Sequence, residues 1–134
     1  MVRLGLVVAR FNAPVTDKME SAAREAARDS GATIGETVSV PGAYDAPLAA
    51  DCLARRSDID AVVVIGAIIT GETGHDSVIG QATARSLTEI SLERDTPVTL
   101  GITGPDMTAE QARERIDYAA QAVESALSLV DALP

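Results

Sequence analysis

A polar turn with two glycines leads from an apolar run to the only histidine of the chain. Residues 61–65 are all Ala, Val or Ile, and the sequence shortly after them reads Thr-Gly-Glu-Thr-Gly-His. Free backbone amides at a helix start bind anions such as phosphate, and an imidazole there can exchange protons near pH 7. Gly71, Glu72 and Thr73 are therefore candidate anion-binding residues, and His75 is a candidate acid–base residue. The alternatives are a plain strand–helix turn and a structural histidine.

Further candidates for ligand binding occur outside this turn. Phe11 can stack on a planar ring or fill the core, and Asp45, next to Tyr44, can bind sugar hydroxyls or cap the next helix. Arg115 falls at the edge of the apolar stripe of the last predicted helix, where a guanidinium can bind phosphate with two hydrogen bonds. Arg113 lies on the same helix, and a surface cation in an acidic protein is the plainer interpretation of either arginine.

These candidates require a scaffold that brings strand ends together. The apolar periodicities predict strands at residues 3–9, 33–40, 61–65 and 97–102, and helices at residues 15–30, 48–56, 76–95 and 108–131. This βαβαβαβα order predicts an α/β fold, a single domain over residues 1–134 with a four-stranded parallel sheet flanked by helices. The carboxyl ends of parallel strands share one edge of the sheet, which is where ligands of such folds bind.

The apolar positions of the last two helices predict their buried faces. In the helix over residues 76–95, the predicted inward residues are Ile79, Ala82, Leu87 and Ile90. The last helix is predicted to start at a capping box of Thr108 and Gln111. Its predicted inward residues are Ala112, Ile116, Ala119, Val123, Leu127 and Val130.

The composition limits what the chain can bind. One cysteine, Cys52, and one histidine exclude an internal disulfide and a His/Cys zinc cluster, and no acidic ladder indicates magnesium. The net charge of −9 disfavours nucleic acid and anionic membranes as partners. No apolar run approaches the roughly 20 residues of a membrane helix. Nothing in the sequence resembles a signal peptide, so we expect a cytoplasmic protein.

The acidic excess also indicates an adaptation to high salt. The chain has 20 Asp and Glu residues against 11 Lys and Arg residues, and Lys18 is its only lysine. Salt screens the repulsion between such charges, so we expect a halophilic protein whose melting temperature rises in molar salt. A melting temperature that is indifferent to salt would contradict this hypothesis.

Five segments of the chain resemble lumazine synthase (6,7-dimethyl-8-ribityllumazine synthase) in its short archaeal form. They are residues 10–12 (Arg-Phe-Asn), 40–47 (Val-Pro-Gly-Ala-Tyr-Asp-Ala-Pro), 66–76 (Gly-Ala-Ile-Ile-Thr-Gly-Glu-Thr-Gly-His-Asp), 97–101 and 107–115. The third segment is the most specific, and the match spans nearly the whole chain. The resemblance implies a flavodoxin-like three-layer fold and assembly into pentamers or icosahedral capsids of pentamers.

The resemblance also implies a transferase of riboflavin biosynthesis. The implied reaction condenses 5-amino-6-(D-ribitylamino)uracil with 3,4-dihydroxy-2-butanone 4-phosphate and gives 6,7-dimethyl-8-ribityllumazine, phosphate and water. It proceeds through an imine, eliminates phosphate and closes the ring. It needs no cofactor and no metal.

The resemblance assigns the site residues to groups. The pyrimidine, which stacks on Phe11, and its ribityl chain are bound by Phe11, Ala43, Tyr44, Asp45, Ala67, Ile68 and Ile69. Phosphate is bound at the helix start by Gly71, Glu72 and Thr73. The neighbouring subunit supplies Leu100 and Arg115, with Arg115 on phosphate, and the proton donor is His75.

Three positions depart from the family's usual pattern. No lysine follows Arg115, Leu100 stands where many members have Phe, and Tyr44-Asp45 replaces Phe-Glu.

Three other functions were weighed against lumazine synthase. One alternative is the archaeal type of riboflavin synthase, which lacks the Gly-Glu-Thr-x-His turn. Another is a non-catalytic flavin-binding shell protein, which would bind riboflavin tightly and form no lumazine. A phospho-receiver module is disfavoured, because no acidic residue ends the third strand and no lysine follows the fourth.

Overall fold

The computed structural model describes residues 1–71 and 73–134. The strands in this part of the chain are β1 (Arg3–Ala9), β2 (Thr33–Val40), β3 (Ala61–Ala67) and β4 (Val98–Thr103). The helices are α1 (Ala13–Asp29), α2 (Ala46–Ala54), α3 (His75–Arg94), α4 (Ala109–Glu114) and α5 (Tyr118–Ala132), with a 3₁₀ turn at Ala43–Asp45. The predicted α/β alternation is therefore confirmed as far as β4.

All strands pair in parallel in the order β2-β1-β3-β4. Every residue of β3 is buried, which confirms that its unbroken apolar run lies at the centre of the sheet with helices on both faces. The pairing of Val8 with Ile65 and of Ala67 with Thr103 brings the carboxyl ends of the three neighbouring strands to one edge. This edge carries the predicted candidates that follow β1 and β3.

Each face of the sheet carries its own apolar core. On one face the residues of α1 and α5 pack on the strands, and Met19 and Val123 are fully buried there. On the other face α2 and α3 pack on the strands, with Leu53 and Leu87 each 2 % exposed. The molecule therefore has the three-layer arrangement of a flavodoxin-like fold.

The prediction of one last helix over residues 108–131 is wrong, because the chain forms two helices there. The capping box is confirmed, since the N–H of Gln111 donates to Thr108 Oγ1 at 3.1 Å. After α4, the N–H groups of Tyr118 and Ala119 donate three residues back, to Arg115 and Ile116, each at 3.1 Å. This tighter pattern replaces the α-helical one and ends α4 before α5 begins.

The prediction that Ala82 points inward is also wrong. Ala82 is exposed, whereas Thr83 is 2 % exposed and its hydroxyl donates to the Ala43 carbonyl at 3.4 Å. Thr83 is four residues from both Ile79 and Leu87, so it completes their row along the helix and Ala82 lies off that row. The predicted inward positions of Ile79, Leu87 and Ile90 are confirmed as buried or half-buried.

Candidate active site

A cavity of about 480 Å³ opens at the carboxyl edge of the sheet, beside β1, β3 and the start of α3. Its wall combines the ends of two strands, the turn after β2 and the turn before α3. Nine predicted site residues line it: Phe11, Ala43, Tyr44, Ala67, Ile68, Ile69, Gly71, Thr73 and His75. Four further residues line it that were not predicted: Asn12, Gly42, Asp76 and Ile79.

Phe11 stands at the rim of this cavity, and its side chain is 84 % exposed. That exposure rules out the alternative in which Phe11 fills the core. The next residue, Asn12, anchors the strand end, because its Nδ2 donates to the Ala67 carbonyl at 2.6 Å. The Asn12 carbonyl also accepts from the N–H groups of Val15 and Thr16 at the start of α1. Asn12 thereby fixes the backbone beside an aromatic ring that is free to bind a ligand.

The turn after β2 holds Tyr44 at the opposite rim. Tyr44 is 70 % exposed and lines the cavity, whereas Asp45 does not. The Asp45 carboxylate accepts from the N–H of Gly42 at 3.0 Å, so it closes the 3₁₀ turn and does not cap α2. Thr83 attaches this turn to α3 through the Ala43 carbonyl.

The turn before α3 contributes Gly71, Thr73 and His75, and Glu72 lies outside the described residues. Thr73 Oγ1 accepts from the N–H of His75 at 3.3 Å, which orders the residues just before the helix. His75 is the first residue of the 20-residue helix α3 and is exposed. The positive end of the α3 dipole therefore faces the cavity next to an accessible imidazole, an arrangement that suits an anion and a proton transfer.

Leu100 and Arg115 are not among the residues that line this cavity. Leu100 is 51 % exposed on the edge strand β4 and lines a separate groove of about 210 Å³ with Gly80 and Pro105. Arg115 is half-buried at the end of α4 and makes no ion pair within the described part of the chain. None of the described residues that line the larger cavity is Lys or Arg, and Asp76 is an acidic residue among them.

No group of three or more His, Cys, Asp or Glu side chains in residues 1–71 and 73–134 is close enough to hold a metal ion. In the same residues, no helix combines the length and the apolar character that a membrane span requires.

Among the site residues that sequence reasoning missed, Asn12 and Asp76 each had a visible signal. Asn12 is a preferred helix N-cap type directly after Phe11, and Asp76 directly follows the candidate histidine. Gly42 and Ile79 line the cavity through the turn and helix that carry predicted residues. Nothing in their residue types distinguished them from structural positions.

Comparison with known proteins identifies the family. The family model described as 6,7-dimethyl-8-ribityllumazine synthase matches residues 1–133. A protein of that name from Halobacterium salinarum is 65 % identical, over 99 % of this chain and 100 % of its own length. The namesake from Halorubrum lacusprofundi is 64 % identical over 99 % of both chains, and that from Methanosarcina mazei is 54 % identical over 96 % of both. The chain belongs to the 6,7-dimethyl-8-ribityllumazine synthase family.

Proposed function

We propose that this chain condenses 5-amino-6-(D-ribitylamino)uracil with 3,4-dihydroxy-2-butanone 4-phosphate, giving 6,7-dimethyl-8-ribityllumazine, phosphate and water. It acts as a transferase of riboflavin biosynthesis through one domain over residues 1–134. The observation that carries the proposal is the cavity of about 480 Å³ that an exposed Phe11 and an exposed His75 both line, in a chain that belongs to this family.

The pyrimidine ring stacks on Phe11 in this proposal. An exposed ring at the cavity rim offers one face to a planar ligand, and such stacking adds about 0.5–1.5 kcal/mol beyond the buried area. The strand end at Ala67, Ile68 and Ile69 supplies backbone contacts to the edge of the pyrimidine. The turn of Ala43, Tyr44 and Asp45 holds the ribityl chain.

The phosphate of the second substrate binds at the start of α3, to the turn of Gly71, Glu72 and Thr73. Holding both substrates together brings the amine to the ketone carbonyl, and proximity supplies much of the acceleration of imine formation. The imine forms as the carbonyl oxygen leaves as water, and His75 donates a proton to that oxygen. Phosphate then leaves as an anion, and the enol that remains becomes a ketone. The second amine attacks this carbonyl and closes the ring as the carbonyl oxygen leaves as a second water.

We further propose a homo-oligomer whose active sites are shared between adjacent copies, as a pentamer or a capsid of pentamers. Leu100 supports this, because it is a half-exposed leucine on an edge strand with an apolar groove beside it. Arg115 supports it as well, because the described wall of the cavity has no cationic side chain for phosphate. In the proposal, Leu100 and Arg115 complete the site of the adjacent copy. We also propose a cytoplasmic location, and the net charge of −9 disfavours nucleic acid and anionic membranes as partners.

A direct assay tests the function. The purified protein is mixed with both substrates, and lumazine absorbance and free phosphate are followed together, with each substrate omitted in turn. We expect equimolar lumazine and phosphate only when both substrates are present. Riboflavin formed from lumazine alone would instead indicate the archaeal type of riboflavin synthase. Tight riboflavin binding without lumazine formation would indicate a flavin-binding shell protein.

A further inference from the structure

The loop after β4, residues 104–107, contacts the chain on both sides of the turn that precedes α3. Before the turn, the N–H of Thr70 donates to the Met107 carbonyl at 2.7 Å, and Met107 is fully buried. After the turn, Asp76 Oδ2 accepts from the N–H of Asp106 at 3.4 Å. The loop thus joins the residues at which the turn begins and ends, although it does not itself line the larger cavity.

Two glycines allow this close approach. Gly104 has a φ of +93°, and a Cβ there would overlap the Ile68 carbonyl. A Cβ on Gly80, in the second turn of α3, would lie 2.7 Å from Cδ and 3.1 Å from Cγ of Pro105. The proline ring cannot rotate away as a flexible side chain can, so any side chain at Gly80 has to displace the loop or the helix.

We propose that the 104–107 loop is a positioning element for the phosphate-binding turn, and that Gly80 is the residue that lets it dock. This inference rests on the proposed function. The hydrogen bond described within the turn joins Thr73 to His75 and does not tie the turn to the sheet. The ties at Thr70 and Asp76 therefore set where the amides of the turn and the imidazole of His75 stand relative to bound phosphate.

The substitution Gly80→Ala tests this placement. Alanine favours a helix more than glycine does, so any loss comes from the contact with Pro105 and not from the helix itself. The added methyl group should displace the loop, and with it the phosphate-binding turn, by up to about 1 Å. This displacement should raise the KM for 3,4-dihydroxy-2-butanone 4-phosphate about tenfold. The inhibition constant of inorganic phosphate should rise in parallel. The KM for the pyrimidine substrate should rise much less, because Gly80 and the loop approach Ile68, whereas Phe11 and the turn of Ala43–Asp45 lie on other elements. A merely structural role would not separate the two KM values.

A second substitution checks the cause. Pro105→Ala removes the Cγ and Cδ atoms against which the new Cβ would collide, so the double variant should recover much of the phosphate affinity of Pro105→Ala alone. Gly5→Ala is the matched control, because Gly5 lies in β1 and does not line the cavity. A Cβ on Gly5 would lie 2.9 Å from Leu53 Cδ1, so the substitution introduces a comparable clash elsewhere. It should lower the melting temperature and leave both KM values unchanged.

The outcomes separate the inference from the proposed function. A wild-type protein that forms no lumazine contradicts the proposed function. If the wild type is active, the inference is overturned when Gly80→Ala leaves both KM values unchanged, raises them equally, or is not relieved by Pro105→Ala. Should Gly80→Ala fail to fold, Pro105→Gly tests the same contact from the loop side. It should raise the KM for the phosphate substrate well beyond any change in the KM for the pyrimidine substrate, and an unchanged KM for the phosphate substrate overturns the inference.

Discussion

Charged side chains bind one another at the amino ends of the strands, whereas at the carboxyl ends aromatic and titratable side chains border a cavity. Near the amino ends, Arg56 lies 2.9 Å from Glu36 and 2.8 Å from Asp58, and Arg94 lies 2.8 Å from Asp51. At the carboxyl ends, Phe11 is 84 % exposed, His75 is exposed, and both line one cavity.

The difference concerns what each group is already bonded to. The hydrogen bonds from Arg56 hold the pKa of the Asp58 carboxyl below its usual value, and those from Arg94 do the same for the pKa of Asp51. Such carboxylates stay ionised and hydrogen-bonded to their arginine partners at neutral pH. The side chains at the cavity leave their surfaces to a ligand. We therefore expect substitutions of the side chains that line the cavity to change kinetics, and substitutions of the paired side chains near the amino ends to change stability alone.

Arg115 gives the largest expected effect and the severest test of this division. Arg115→Ala should lower kcat/KM by a factor that corresponds to a loss of about 2–4 kcal/mol of transition-state stabilisation. The charge-assisted contact with phosphate acts both in the ground state and as phosphate leaves. Arg113→Ala is the control, because Arg113 lies in the last turn of α4, two residues before Arg115. Its guanidinium is exposed and should be dispensable. Equal losses in the two variants would mean that the phosphate contact has been assigned to the wrong face of α4.

His75 should show the next largest effect. Imine formation between an amine and a ketone is intrinsically facile, so His75→Ala should lower kcat by only about tenfold to a hundredfold, the low end for acid–base catalysis. Substrate binding and assembly should persist, so the loss should be confined to kcat. A variant with wild-type rates at every pH would make His75 structural. A variant that does not assemble would make it an interface residue.

Phe11 should show a smaller effect that concerns binding alone. Phe11→Ala removes a stacking contact of about 0.5–1.5 kcal/mol, so the KM for the pyrimidine substrate should rise while the KM for the phosphate substrate holds. Because the side chain is 84 % exposed, the melting temperature should not change. Phe11→Leu is the control for size without an aromatic face. A fall in the melting temperature with constant KM would place Phe11 among structural residues and weaken the contrast between the two ends.

The sequence predicted the strands well because their signals are local. Residues 61–65 form an unbroken apolar run, and glycine or proline follows each strand within a few positions. These local signals indicate both that a segment is a strand and where it ends. The first helix was predicted to end at residue 30, and Gly31 follows it with a φ of +76°, the left-handed conformation that glycine commonly adopts just after a helix. The stretch that bears His75 was likewise predicted as a strand end, a turn and a helix start.

The errors arose where tertiary contacts decide the structure. No glycine or proline occurs between Arg115 and Tyr118, so no helix-breaking residue indicates that α4 ends there. Ala82 is three residues and Thr83 four residues from Ile79, so helical spacing allows either to join the buried row, and the hydrogen bond from Thr83 to Ala43 favours Thr83. The tie from Asn12 to Ala67 and the docking of residues 104–107 join segments far apart in sequence. Periodicity within one segment holds no information about such pairs.

Asp51 provides the smallest expected effect, at the amino end. Asp51 accepts hydrogen bonds from Arg94 at 2.8 and 3.3 Å and lies 3.5 Å from Arg55, with its side chain 23 % exposed. Asp51→Asn should lower the melting temperature slightly at pH 7 and leave kcat and both KM values unchanged. The matched control is Glu89→Gln, which removes the same charge from the pair with Arg85 at 63 % side-chain exposure and should change stability less.

The pH dependence of this effect follows from the direction of the pKa shift. The hydrogen bond from Arg94 lowers the pKa of folded Asp51 below its ordinary 3.8, so between these two values the unfolded chain binds more protons than the folded one. The stabilisation is therefore complete above the unfolded pKa and is lost as the pH falls through the folded pKa. The difference in melting temperature between the wild type and Asp51→Asn should be constant from pH 5 to 7 and shrink below about pH 4. A difference that persists in strong acid would show that Asp51 acts through packing, and any change in KM would break the separation between the two ends of the sheet.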